Sequence, residues 1–100
     1  MGLLAVLLLG TAAPSSASRR GCGRILDGNG TTGAFAIVAE NMSCSRARQV
    51  TKTAKDACSY PSFRCRARGF SCRGRIAGDE TVRYACSRGR ARVVFNRYSS

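Results

Sequence analysis

Residues 43–58 read SCSRARQVTKTAKDAC and residues 63–68 read FRCRAR, and the change of hydrophobic period between them decides the fold. In the first stretch Cys44, Ala47, Val50, Ala54 and Ala57 recur at spacings of three and four, the apolar stripe of a helix. Arg46, Arg48, Lys52, Lys55 and Asp56 fall on the other face. Ser43 stands where its hydroxyl caps the first-turn N–H groups. Pro61 forbids continuation, which predicts an end near Cys58. The stripe is mostly alanine, which allows close approach to a sheet but buries little area per residue, so covalent support is expected. In the second stretch Phe63, Cys65 and Ala67 alternate with Arg64, Arg66 and Arg68, which predicts a strand with a dry face and an arginine face.

Working outward, Phe70 and Cys72 resume the apolar side after Gly69, and Ala77-Gly78-Asp79 reads as a turn. Val82, Tyr84 and Cys86 then alternate with Arg83 and Ala85. Ser87–Arg90 is a hairpin loop before a last strand carrying Ala91, Val93 and Phe95. Upstream, Ala34–Ala39 reads as a short buried strand with Phe35 and Ile37 on one face. Residues 18–33 read as a loop segment, because Asp27–Gly33 is dense in turn formers. The fold class that follows is α+β, one helix packed on a small antiparallel sheet within a domain of residues 34–100.

Leu3–Leu9 is unbroken aliphatic apart from Ala5, too short for the about 20 apolar residues of a membrane-spanning helix. With Ser15-Ser16-Ala17 after it, it predicts a cleaved signal peptide over residues 1–17 and no transmembrane span. The expected location is secreted, extracellular or associated with the cell wall. A chain of 100 residues makes a thin core. An even set of six cysteines in an oxidising compartment predicts three disulfides that staple it. Spacing alone leaves every connectivity open. Cys58–Cys65 closes the shortest loop, and inward cysteines of the strands meeting the helix start or the N-terminal loop favours Cys44–Cys72 and Cys22–Cys86. The chain has no histidine and no C-x2-C pair, so no metal and no cofactor is expected.

Asn41–Val50, with its Ser43-Cys44-Ser45-Arg46-Ala47-Arg48-Gln49-Val50 run, resembles a VSCxxARxV stretch of small secreted proteins of high-GC Gram-positive bacteria. Gly69-Phe70-Ser71-Cys72 is similar to their GFxC, and Tyr84–Gly89 with Val93-Val94-Phe95 to their closing VxCxRG and VxF. Met42 stands where valine is usual. The resemblance implies an exported, disulfide-bonded domain and assigns no activity and no functional residues. A high-GC genome is also a bland source of arginine codons.

Charge is the strongest functional signal. Seventeen basic residues face five acidic ones, a net charge of +12. Arg64, Arg66, Arg68, Arg73, Arg75, Arg83, Arg90 and Arg92 are the candidate contacts for an anionic partner, since like charges on neighbouring strands repel and an anion relieves the repulsion. The solvated sheet face is the plainer reading. The expected function is a non-catalytic basic protein that binds an anionic polymer or cell-surface component through an arginine-rich sheet face. The alternative is an inhibitor or toxin that meets an extracellular protein through a rigid loop, Asp27–Gly33 or Ser87–Arg90. No catalytic residue is expected. Glu40 is the one acid near an apolar strand, and an ordinary ion pair accounts for it. Phe35, Phe63, Phe70 and Phe95 read as core and Tyr84 as inward, leaving Tyr60 and Tyr98 as stacking candidates. Nucleic acid is therefore the less supported target, and with no recognisable base-reading module sequence-specific nucleic-acid recognition is not expected. A monomer is expected.

Overall fold

The computed structural model describes residues 19–58 and 63–98. The leader expected at residues 1–17, Tyr60 and Pro61 lie outside them. Along the described residues run β1 (Arg19–Leu26), β2 (Thr32–Glu40), α1 (Cys44–Ala57), β3 (Arg64–Ala67), β4 (Phe70–Gly78), β5 (Thr81–Arg88) and β6 (Ala91–Tyr98). The α+β architecture is the expected one: one helix and a six-stranded antiparallel sheet in the order β1-β2-β6-β5-β4-β3. Strands β3 to β6 form a meander, and β6 then pairs with β2.

The helix begins and ends as its sequence dictates. Ser43 is extended, and its hydroxyl accepts from the Arg46 N–H at 3.1 Å. At the other end the carbonyls that a helix leaves unpaired find donors from the sheet. Tyr84 Oη donates to the Cys58 carbonyl at 2.9 Å, and Arg97 Nη1 donates to the same oxygen at 3.1 Å and to the Lys55 carbonyl. The guanidinium also meets the negative end of the helix dipole. Its buried stripe is Ala47, Val50, Thr51 and Ala54. Ala57, expected in that stripe, is exposed, and Thr51 takes its place because positions 47, 50, 51 and 54 share a tighter arc.

α1 packs on β1, β2 and β6 and also on β3, so both edges of the sheet reach the same helix. The sheet therefore curls around α1, with a concave face that is core and a convex face that is open. Tyr84, Phe70 and Phe95 are the largest side chains in the core. The Tyr84 and Phe95 rings stack at 5.4 Å. Each such side chain contributes roughly 1.5–3 kcal/mol of apolar burial. Arg46 lies over the Phe70 ring at 5.4 Å to the centroid, so even the helix's polar side covers apolar surface.

The disulfides complete the curl. Cys58–Cys65 is as expected, but the other two pairings are corrected: Cys22 bonds Cys44 and Cys72 bonds Cys86, in place of Cys44–Cys72 and Cys22–Cys86. Cys72 and Cys86 stand directly opposite each other on β4 and β5, with Cα atoms 4.0 Å apart, so neither needs the helix. Cys22–Cys44 then ties edge strand β1 to the start of α1, and Cys58–Cys65 ties edge strand β3 to its end.

Two further expectations are corrected. The segment expected as loop over residues 18–33 contains strand β1, followed by the expected turn at Asp27–Thr31. β1 has little apolar alternation. Its backbone is fixed from outside, by Arg48 Nη1 donating to the carbonyls of Cys22 at 2.8 Å and Arg24 at 2.9 Å. In β2, Phe35 and Ile37 do not share a face. Ala36 sits at φ 54°, in the left-handed region that non-glycine residues rarely adopt, and the register against β6 shifts between Phe35 and Val38. The extra residue turns Ile37 into the core and Phe35 to the convex side.

Lys55 and Tyr84 make the fold alkali-sensitive. Lys55 Nζ is 2.8 Å from Asp27 Oδ1 and 3.0 Å from Asp56 Oδ1, and these hydrogen bonds hold its pKa above the usual value. Burial of the Tyr84 phenol raises its pKa, with the Arg97 charge opposing. In both, the protonated form is favoured on folding, so the stabilisation is complete below the unfolded values, near pH 10, and disappears as pH rises through the folded ones. Thermal melts should give a midpoint that is level from pH 7 to about 9.5 and falls beyond about pH 10. A Lys55→Gln variant should start lower and fall less; an equal slope would remove Lys55 from the explanation.

Candidate functional site

Alternation sends one side chain in two to the convex face, and strand register then sets them in rows. The alternation that turns Val82, Tyr84, Cys86, Val93 and Phe95 toward α1 turns Arg83, Ala85, Ser87, Arg92, Val94 and Asn96 outward. Antiparallel pairing carries one row from Arg64 through its partner Arg73 to Ala85, Val94 and Val38. A second runs from Arg75 through its partner Arg83 to Asn96 and Phe35. A third runs Arg66, Ser71, Ser87, Arg92, Glu40, Arg19.

Six of the eight predicted arginines are thus brought together: Arg64, Arg66, Arg73, Arg75, Arg83 and Arg92, all exposed. Two shallow depressions, sharing Arg73 and Ala85, run between them. Arg68 and Arg90 do not join the strand rows. Arg68 lies in the β3–β4 turn at φ 50°, and its Nε donates to Thr53 Oγ1 of α1 at 3.1 Å, on the concave side. Arg90 lies in the β5–β6 turn, where its carbonyl accepts from Asn41 Nδ2 at 3.0 Å. Arg97, on the same hairpin, turns inward to the helix end.

Electrostatically the face is nearly one-signed. Arg64 opposes Arg73 and Arg75 opposes Arg83, two like-charged cross-strand pairs of a kind that costs stability. Among the described residues the one carboxylate on the rows is Glu40, with Oε2 3.3 Å from Arg92 Nη1 and 3.6 Å from Arg19 Nε. Arg83 Nε donates to Asn96 Oδ1 at 3.1 Å, and Arg66 Nη1 to Ser71 Oγ at 3.3 Å, so two guanidinium groups are steered by neutral neighbours.

Sequence reasoning missed the apolar part of this surface. Val38, Val94 and Ala85 are half-buried along its middle row. At one end Phe35 stacks on Tyr98, ring centroids 4.9 Å apart, with Tyr98 49% exposed. Tyr98 was legible as a stacking candidate. Phe35 was not, since no residue type announces a left-handed alanine.

The loops differ from the face. In the Asp27–Thr31 turn the Asp27 N–H donates to the Thr31 carbonyl, and Asn29 Oδ1 accepts from the Thr31 N–H and hydroxyl. Its carboxylate is engaged by Lys55. Ser87 and Arg88 belong to β5, leaving Gly89 and Arg90 as the hairpin turn.

No family model matches the chain, and neither a curated protein nor a solved structure matches it.

Proposed function

We propose that this is a secreted, non-catalytic protein that binds anionic polymers through the convex face of its sheet. Supporting this is one observation above the rest: arginine stands directly opposite arginine at Arg75/Arg83, in the same register as Arg64/Arg73, on a face with a single carboxylate among the described residues. Such pairs carry a repulsive cost in the free protein that a phosphate, sulfate or carboxylate group removes, and the guanidinium fork accepts these groups bidentately. Three disulfides and the lack of any membrane-spanning helix among the described residues fit the secreted compartment. Glu40, flanked by Arg19 and Arg92, serves as an ion-pair partner within this face.

Position, and not total charge, is what this reading predicts. The variant Arg73→Gln/Arg75→Gln/Arg83→Gln removes three charges from the face. Arg20→Gln/Arg24→Gln/Lys52→Gln removes the same number elsewhere. On an immobilised acidic polymer the first variant should elute at distinctly lower salt than the second. The slope of log affinity against log salt should fall by about 2–3 for the first. Equal elution of the two variants would make the charge generic and withdraw the face as a site.

A further inference from the structure

We infer that the polymer this face is built for is single-stranded nucleic acid, bound without sequence preference, with unpaired bases stacking on the Phe35–Tyr98 pair while the arginines hold phosphates. The inference rests on the polyanion reading above and narrows it. Its starting point is the bulge at Ala36, which moves an aromatic residue from the core side to the charged side.

A wall polyphosphate needs cations only, and an acidic polysaccharide, whose sugar faces also pack on aromatic rings, carries no flat unpaired base beside each charge. A single strand offers cations' partners and flat π-faces in alternation, and proteins that hold it without sequence preference pair a basic surface with exposed aromatic rings. Both parts are present and adjacent. Phe35 and Tyr98 are stacked on the convex face, with Tyr98 half-exposed at the end of β6. Phe35 faces Asn96 in the register, Asn96 faces Arg83, and Arg83 faces Arg75. Neighbouring strands lie about 4.8 Å apart, so Arg83 on β5 and Arg75 on β4 are about 10 and 15 Å from β2, which carries Phe35, and about 5 and 10 Å from β6, which carries Tyr98. Asn96 holds the Arg83 guanidinium toward the rings by its hydrogen bond at 3.1 Å. The middle of the face, Val38, Val94 and Ala85, is apolar, half-buried and without a large exposed side chain. It suits the planar faces of bases better than a lipid surface, which calls for large protruding anchors.

The test uses the oxidised full chain and fluorescence anisotropy at one fixed salt concentration. The probes are an oligothymidylate, an abasic oligomer of equal length and charge, and a duplex of equal length. The wild-type protein should prefer the oligothymidylate to both of the others. Tyr98→Ala should weaken oligothymidylate binding roughly 5- to 150-fold, the effect of losing one stacked base, and leave the abasic oligomer unchanged. Tyr98→Phe, which keeps the ring, should bind as the wild type does and guards against a fold defect. Equal affinity for oligothymidylate and abasic oligomer, or a Tyr98→Ala loss shared by both, overturns the stacking site. In that case abasic binding that still weakens in the Arg73→Gln/Arg75→Gln/Arg83→Gln variant leaves the polyanion reading standing. Insensitivity of every probe to those arginines removes both.

Discussion

The Cys22→Ala/Cys44→Ala double variant is expected to lose about 3.4 kcal/mol of folding free energy, the largest loss among the three disulfides on loop-closure entropy. The bridges span sequence separations of 22, 7 and 14 residues for Cys22–Cys44, Cys58–Cys65 and Cys72–Cys86. The other two correspond to about 2.5 and 3.0 kcal/mol on the same scale. The loss should also be uneven in space. β1 contributes only Cys22 and Ile25 to the core, and its other anchor is the hydrogen bonding from Arg48. Hydrogen exchange should therefore show Arg19–Leu26 losing protection first, while β4, β5 and β6 keep theirs. Denaturant midpoints for the three paired-cysteine variants give the ranking. A smaller loss for Cys22–Cys44 than for Cys58–Cys65 would show that loop entropy does not govern these bridges.

Gly74→Val should cost about 3 kcal/mol and Gly74→Ala about 2 kcal/mol, because the space a side chain needs is occupied by a ring that cannot leave. A Cβ at Gly74 would lie 2.5 Å from Tyr84 Cε1 and 2.7 Å from Cδ1. The ring is held at every side: it is 1% exposed, it stacks on Phe95 at 5.4 Å, and its hydroxyl donates to the Cys58 carbonyl. Nor does the backbone yield freely, since the Gly74 N–H donates to the Phe63 carbonyl at 2.7 Å. Displacing Tyr84 would remove one of the two donors to the Cys58 carbonyl at the C-terminus of α1, leaving Arg97 as the other, so the damage should reach the helix end. Chemical denaturation with far-ultraviolet circular dichroism measures it. A loss below about 0.5 kcal/mol for Gly74→Val would mean that the ring moves aside at little cost.

What could be read from the sequence was whatever a local period or a single cap encodes. Ser43, the Cys65/Ala67 and Val82/Tyr84/Cys86 alternations and the Ser87–Arg90 hairpin all depend on near neighbours, and they appear nearly where expected. The Cys72–Cys86 bond was legible too. Each cysteine lies seven residues from Asp79, so a hairpin centred on that turn sets them face to face. Closing that hairpin uses up Cys72 and Cys86 together, which rules out Cys44–Cys72 and Cys22–Cys86 at once. Strand β1 and the position of Phe35 were not legible. One depends on an arginine from α1 holding its carbonyls, and the other on a backbone conformation that alanine seldom takes. For the site, the arginine rows followed from alternation, whereas the aromatic end of the face depended on the bulge.

The stapling of both sheet margins to one helix also bears on self-association. A sheet that ends in an unpaired strand is a template for another sheet, and long, flat, uncharged margins are where fibrils start. Here the β1 margin carries Arg19, Arg20 and Arg24 and breaks register three times against β2. The β3 margin is four residues long, two of them arginine. Curvature and repelling charge thus coincide at both places where polymerisation would begin, joined by interrupted pairing at β1 and by shortness at β3. The arginines at these margins therefore oppose edge-to-edge pairing with another copy of the chain.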